Sequence, residues 1–437
     1  MLSVWRRTRA RRRRHGFSSL AAPIDPIALR FNQELIACTQ SGLLSELILG
    51  ATPAQLTPVN LATAIHRMGK LASPSPLALT KVLNLANNSA SQFQPQAISN
   101  MCYGIAKSRL CNGIPKFLQT QAVLVAKRFS PKETANLLHS LAVQKEPAPE
   151  VFQEFAKQID RQLPRYSPRD LSISLWSFAM LGHGFSPQLF SKCASTAVTT
   201  TSKLAKFNSH DIALFLFSFA TLGHPCPSKV CSAAANAFRV SDGDAHSLLL
   251  FVWSLACLDA LGLHKVSEFF VHTRLPPHVQ LAKTPTQANQ VHFARLAWDQ
   301  TNPGVRSRLL EDLEFGNWVS NARQSKTNSG YQSRLEISAE LKLLFPHGQV
   351  NASLPALDLQ VDFYLPDKNF AIEIEGRHNY ASDGITPLGS TQFKHRLLTR
   401  SGMGLCKIHV DEYSQYSAHE RRDLLLTIQH HLQQPAT

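Results

Sequence analysis

The stretch "YSPRDLSISLWSFAML" at residues 166–181, together with its repetition, decides the fold of this 437-residue chain. It opens with an aromatic residue, continues with a serine and a proline, and then places apolar residues at helical spacing. A polar N-cap followed by a proline in the first turn favours the start of a helix. The stretch therefore predicts a helix that begins near Pro168.

Related segments occur on both sides of this stretch, at residues 93–108, 129–144, 207–222 and 243–258, with a weaker copy at 57–71. Their inner alanines are separated by 36, 37, 41 and 36 residues and are Ala106, Ala142, Ala179, Ala220 and Ala256. After each first helix comes a break and then a second helix near a proline. Units of this kind bury their faces only by stacking. We predict an α-solenoid of helix-turn-helix repeats of about 37 residues over residues 26–260; an irregular helical bundle is the alternative.

Composition limits the class of protein. Hydrophobic residues make up 44% of the chain and charged residues 17%, which excludes a disordered composition. The net charge of +15 favours an acidic partner such as nucleic acid or an anionic membrane. The sequence has no apolar run of transmembrane length, so we expect no membrane insertion. The eight cysteines lack zinc spacing and are interpreted as buried hydrophobic residues.

The N-terminus predicts targeting to an organelle. Its first 15 residues, "MLSVWRRTRARRRRH", contain seven arginines and no acid. We interpret residues 1–25 as a transit peptide, cleaved between Arg14 and Pro26. The excess of arginine over serine favours the mitochondrial matrix, with the plastid as runner-up. A basic arm that binds nucleic acid, or a nuclear localisation signal, is the alternative.

An extended helical surface in a basic organellar protein favours single-stranded RNA as the partner. Several polar residues of the first helices are candidates for contact with it: Asn100, Asn136, Ser172, Ser174 and Asp211. Residues 261–330 differ in composition and are predicted to be a connector, partly helical and partly loose.

From residue 331 to 431 the pattern becomes α/β, and residues 432–437 are predicted to be a tail. Within "LQVDFYLPDKNFAIEIEGRHNY", residues 359–380, two strands alternate apolar and polar residues. The alternation places Asp362, Glu373 and Glu375 away from the apolar side. A further strand and three helices around them predict an open sheet flanked by helices.

Four segments of this domain, "VDFYLP", "AIEIEGRHNY", "LGSTQFKHRLLTRSG" and "KIHVDEYSQ", resemble the RAP domain in order and spacing. RAP domains close proteins of the FAST-kinase family and octotricopeptide-repeat proteins, which also place helical repeats before the domain. The resemblance implies RNA binding in an organelle and a fold similar to PD-(D/E)XK nucleases of the very-short-patch-repair kind. The chain departs from the pattern at Arg377, where a proline is usual.

A metal-dependent endoribonuclease is one hypothesis for this domain. Asp362 and Glu373 would then bind Mg²⁺, Glu375 stands where that fold has a lysine, and His378 could act as base. Because a glutamate adds negative charge where the transition state needs positive charge, we expect a non-catalytic domain without a cofactor.

Basic residues near the carboxylates are predicted to hold RNA phosphates. They are Arg377, Lys394, His395, Arg396, Arg400 and Lys407. The sequence thus predicts a mitochondrial protein of RNA stability, processing, splicing or ribosome function. Its expected partners are single-stranded organellar mRNA or rRNA and, besides them, the mitochondrial ribosome or other RNA-processing proteins. A structural subunit of the mitochondrial ribosome is a further alternative.

Overall fold

The structure, a computed structural model, describes residues 25–71, 75–108, 111–183, 187–199, 206–241, 244–276, 284–313, 331–354, 356–357 and 359–433. The predicted transit peptide lies outside these residues apart from Asp25. Among the described residues, the helices are too short or too polar to cross a membrane. All eight cysteines are free thiols, and four of them are buried: Cys102, Cys193, Cys231 and Cys257.

Helices of the N-terminal part alternate between two layers. In chain order they are α1 (Pro26–Ala37), α2 (Ser41–Gly50), α3 (Pro58–Leu71), α4 (Pro76–Asn88), α5 (Pro95–Ser108), α6 (Lys116–Leu124), α7 (Pro131–Val143), α8 (Pro149–Gln162), α9 (Pro168–Met180), α10 (Pro187–Thr199), α11 (Ser209–Leu222), α12 (Ser228–Ala237), α13 (Ala245–Cys257), α14 (His264–His272), α15 (Pro285–Thr301) and α16 (Arg308–Asp312). Each odd-numbered helix packs against the next odd-numbered one, and the even-numbered helices form the second, looser layer. This is the stacking expected of a solenoid.

The odd-numbered helices begin at polar caps, as the sequence predicts. Ser130 and Glu133 form a capping box at the start of α7. Ser167 accepts a hydrogen bond from the Asp170 amide at α9, and Asn208 caps α11 in the same way. These side chains satisfy amides that have no partner inside the helix.

Four successive odd-numbered helices also end alike. The third residue after the inner alanine adopts a left-handed conformation, with φ between 55° and 67°; these residues are Lys145, Gly182, Gly223 and Asp259. The amide that follows each of them donates back to a carbonyl in the last turn, as His183 N does to Phe178 O at 2.9 Å. The repeat therefore fixes where each helix stops and exposes the same end of each helix along one edge of the stack.

The two layers extend beyond residue 260, the predicted end of the solenoid. Helix α15 starts at a capping box formed by Thr284 and Gln287 and packs against α13. The Trp298 ring stacks on Phe270 of α14 with centroids 5.2 Å apart. Much of the expected connector is thus packed helix, although it lacks the aromatic and alanine pattern of the preceding repeats.

The C-terminal part is a small α/β domain. Its elements are α17 (Tyr331–Leu344), β1 (Gln349–Leu354), β2 (Leu359–Leu365), β3 (Phe370–Glu375), α18 (Gly389–Arg400), β4 (Gly404–His409), α19 (Val410–Gln415) and α20 (Ala418–Gln433). The strands form one sheet in the order β1-β2-β3-β4, in which only β3 and β4 pair in parallel. The predicted fold class, helical repeats followed by a small α/β domain, is confirmed. Strand β1 was not predicted.

The two faces of the sheet are covered differently. Phe363, Ile372 and Ile374 belong to a core shared with residues of α17, α19 and α20. On the opposite face, Ala371 joins Phe393 of α18 in the core that continues into the helical layers. Helix α18 is therefore enclosed between the sheet and the solenoid.

Candidate functional site

The predicted carboxylates lie on the face of the sheet that α18 covers. Asp362 is on β2, while Glu373 and Glu375 follow one another along the same side of β3. In the parallel register, Glu373 is opposite Lys407 and Glu375 is opposite His409. The strand alternation predicted from the sequence is thus confirmed.

Glu373 is buried and already paired with a cation. Lys394 Nζ on α18 lies 2.6 Å from its Oε2. Asp362 is engaged too, because its Oδ2 accepts a hydrogen bond of 2.8 Å from the Ile374 amide. Burial raises the pKa of Glu373, and the nearby Asp362 adds to this rise while Lys394 opposes it.

Glu375, two residues further on, has a different environment. Its side chain is almost fully buried, with His395 Nε2 2.5 Å from Oε1 and the Tyr380 hydroxyl donating to Oε2. Burial alone would raise the pKa of Glu375, but the hydrogen bonds from His395 and Tyr380 outweigh it and leave the pKa lowered. Burial, together with the hydrogen bond to Glu375, raises the pKa of Tyr380.

His378 lies in the turn after β3. This turn is a short 3-10 helix, Arg377–Asn379, and His378 is exposed there. Arg334 of α17 holds the turn, since its guanidinium lies 3.0 Å from His378 Nε2 and 3.3 Å from Asn379 Oδ1. The sequence pattern did not single out Arg334, which lies 44 residues before His378, or Tyr380, which lies in the turn region after β3 and not in the strand alternation.

The carboxylates do not fit a Mg²⁺ site. A divalent cation needs free carboxylate oxygens, whereas Lys394 already places a positive charge beside Glu373 and Asp362 accepts a hydrogen bond from the Ile374 amide. Both oxygens of Glu375 face His395 and Tyr380. Within the described ranges, no three His, Cys, Asp or Glu side chains are arranged to hold a metal. No cleavage step follows from this geometry.

The six predicted phosphate-binding residues fall into three groups. Lys394 and His395 are turned onto the carboxylates of the sheet. Arg377 and Lys407 are exposed and remain candidates for RNA contact. The two arginines at the end of α18, by contrast, contact the helical layers.

Arg396 and Arg400 attach the α/β domain to the end of α13. Arg396 Nη2 donates to the carbonyls of Ala256 and Cys257 at 2.9 and 2.8 Å. Arg400 forms a two-bonded ion pair with Asp259, both distances being 2.7 Å. Cations at a helix C-terminus satisfy free carbonyls and interact favourably with the helix dipole. The structure therefore places these two arginines at the contact between α18 and the end of α13, and not in an open cleft.

The α/β domain also contacts the C-terminal ends of α9 and α11, the two preceding odd-numbered helices. The Ser382 amide donates to the Gly182 carbonyl at 2.7 Å after α9. Gly389 begins α18 against α11 so closely that a Cβ there would lie 1.5 Å from the Ala220 carbonyl oxygen. The α/β domain therefore caps three consecutive helix ends, all exposed on one edge by the repeat.

The polar residues of the repeats that were candidates for RNA contact differ in their exposure. Asn100 and Asn136 are partly exposed. Ser172 and Ser174 are fully buried and bond to the carbonyls of Asp211 and Asp170, and Asp211 itself is buried. These last three are corrected from candidate RNA contacts to packing residues, because a helix inside a stack is covered on both flanks.

A basic row missed by the sequence reasoning runs along the odd-numbered helices. Ten residues before the inner alanine, four successive helices carry an exposed cationic or imidazole side chain: Lys132, Arg169, His210 and His246. The signal was present in the aligned repeats, but only the structure shows that this position is exposed in each of them.

Comparison with known proteins identifies a relative. No protein-family model matches the chain. A curated protein of Oryza sativa subsp. japonica, "RAP domain-containing protein, chloroplastic", is 22% identical over 411 residues. The match covers 89% of this chain and 62% of the relative, so the chain spans less than two thirds of that protein's length. The predicted resemblance to RAP-domain proteins is confirmed by this similarity, while the relation to the FAST-kinase family stays a prediction.

Proposed function

We propose that this chain is an organellar RNA-binding protein that acts in post-transcriptional RNA metabolism, with the helical layers holding single-stranded mRNA or rRNA. The observation that carries the proposal is the row formed by Lys132, Arg169, His210 and His246. Four exposed basic or imidazole groups at one position of successive repeats form a line of the kind that tracks a phosphate backbone.

The relative supports the organellar location in general terms, since its name is chloroplastic. The mitochondrial matrix is the finer part of this proposal and rests on the arginine-rich residues 1–25. A fluorescent protein fused behind these residues would be expected to enter mitochondria. Entry into plastids would overturn the finer assignment while leaving the organellar one intact.

RNA binding is tested with the purified full chain and an unstructured oligonucleotide over a series of salt concentrations. The affinity for RNA is expected to fall steeply with salt. In the double variant Lys132→Ala with Arg169→Ala, the slope of log affinity against log salt concentration should be smaller by about 0.7 for each phosphate that is no longer neutralised. The control variant removes the same charge from the second layer, at Arg161 and Lys229, both exposed. Absence of RNA binding at low salt would overturn the proposal. An equal loss of affinity in both double variants would overturn the assignment to this row.

A further inference from the structure

A second row of side chains lies beside the basic one. Three residues before the inner alanine, or before Gly69 in the weaker first copy, six successive odd-numbered helices carry a ring: His66, Tyr103, His139, Trp176, Phe217 and Trp253. The first five are partly exposed, and Trp253 retains 9% of its surface. The same position thus carries a ring in six successive helices, and Trp176 and Phe217 also pack partly against the core.

These rings contact one another across neighbouring helices. His66 and Tyr103 have centroids 5.8 Å apart. His139 stacks on Trp176 at 5.5 Å with an interplanar angle of 30°, and Phe217 lies 5.5 Å from Trp253. The six rings therefore form three contacting pairs that follow one another along the stacking direction of the solenoid, and we call this row the aromatic ladder.

The aromatic ladder and the basic row share one face of each helix. Arg169 precedes Trp176 by seven residues, as Lys132 precedes His139. Seven residues are two helical turns, which places the two rows on the same side and about 10 Å apart. Burial and the charge of Arg169 lower the pKa of His139, so this ring favours its neutral form, which suits stacking.

The described structure leaves apolar side chains of this face uncovered. Val59, at the basic-row position of the first copy, is 66% exposed. Val143 and Met180, each one residue after the inner alanine, are 39% and 45% exposed. An apolar strip bordered by cations suits a ligand with flat apolar groups on one side and negative charge on the other.

We infer that this face binds single-stranded RNA by stacking bases on the aromatic ladder while the phosphates follow the basic row. The inference rests on the proposed function and adds the face and the base contacts by which the RNA is held. Base–aromatic stacking tolerates any sequence because every base has a π-face. A duplex hides these faces between neighbouring base pairs, so it lacks the groups that the ladder would contact. Cations beside the ladder favour RNA over an apolar peptide.

The test compares ring-deletion variants of the full chain on a single-stranded oligouridylate and on duplex RNA. Tyr103→Ala and Trp176→Ala should each lower the affinity for the single strand about tenfold and leave the salt slope unchanged. The control, Leu77→Ala with Leu124→Ala, removes side chains of the second layer that are 72% and 74% exposed and should leave the affinity unchanged. Equal binding of duplex and single strand by the unaltered chain would overturn the inference.

Trp176→Phe keeps a ring, so it separates stacking from folding. It should retain affinity within about threefold, whereas its alanine counterpart loses about tenfold. Tryptophan fluorescence of the unaltered chain should be quenched by the oligonucleotide, and less so in Trp176→Phe. If the alanine variants bind RNA as the unaltered chain does, the ladder is not the binding face, even though the proposed function stands. A variant that keeps RNA affinity but loses a co-purifying protein would instead make this face a protein interface.

Discussion

The polar side chains of the α/β domain and those of the repeat face differ in whether other side chains of the protein already pair with them. In the α/β domain, Glu373 and Glu375 are buried and contact Lys394 and His395, respectively. On the repeat face, Lys132 and Arg169 are exposed in a row. Charges that satisfy one another inside a domain mainly determine its shape, while exposed charges in a line can still be satisfied by a ligand. RNA contacts are therefore expected on the repeats and not at the carboxylate motif.

The strongest test of this comparison is Lys394→Ala. If Lys394 serves to neutralise the buried Glu373, its removal leaves an unpaired carboxylate and should lower the free energy of unfolding by about 3–5 kcal/mol. Denaturant unfolding measures the change. Adding Glu373→Gln should restore much of the stability. A stable Lys394→Ala protein with weakened RNA affinity would show that this lysine is a binding residue after all.

A second change separates the two regions from each other. In Gly389→Val the added Cβ would lie 1.5 Å from the Ala220 carbonyl oxygen of α11. This clash should lower the free energy of unfolding by about 3 kcal/mol. Limited proteolysis should then separate the helical layers from the α/β domain. Gly42→Ala is the control, because nothing lies within 4 Å of its added carbon and an alanine within α2 is expected to be harmless.

The two glutamates of β3 should respond oppositely to pH. The pKa of Glu375 is lowered below its ordinary 4.5, so its ionised form stabilises the fold above that pH and the stabilisation is lost as pH falls through the lowered pKa. The pKa of Glu373 is raised above 4.5, so its contribution improves as the pH falls toward 4.5. Glu375→Gln should cost about 2 kcal/mol at pH 7 and weaken the loss of stability in acid. Thermal unfolding between about pH 3 and 7 measures this dependence. If the unaltered protein and Glu375→Gln lost stability equally as the pH falls, the result would contradict this assignment.

The smallest expected effect sharpens the distinction between docking and binding cations. Arg400→Ala removes the ion pair with Asp259, in which both side chains are about 40% exposed, and should cost about 1 kcal/mol or less. RNA affinity should stay unchanged, in contrast to Arg169→Ala. Were the two variants to lose RNA affinity equally, the α/β domain and the repeat face would belong to one binding surface.

Much of the fold was predictable because its rules are local. Helix starts follow from residues such as Ser130 and Pro131, and helix ends from Gly182 and Gly223. Strand alternation was enough to place Glu373 and Glu375 on one side of β3. The buried state of Ser172 was not predictable, since its partner, the Asp211 carbonyl, lies 39 residues away in the next repeat.

The sequence by itself determined the repeat period, the helical and α/β parts, and the RAP resemblance, because backbone conformation and side-chain alternation depend on neighbouring residues. Only the tertiary structure decided which charges are used internally. Arg396 and Arg400 look like RNA-binding residues in a basic helix, yet their partners are carbonyls and a carboxylate about 140 residues earlier in the chain. Whether a charged side chain is free for a ligand depends on what the fold brings beside it, and that juxtaposition is not written in any single segment.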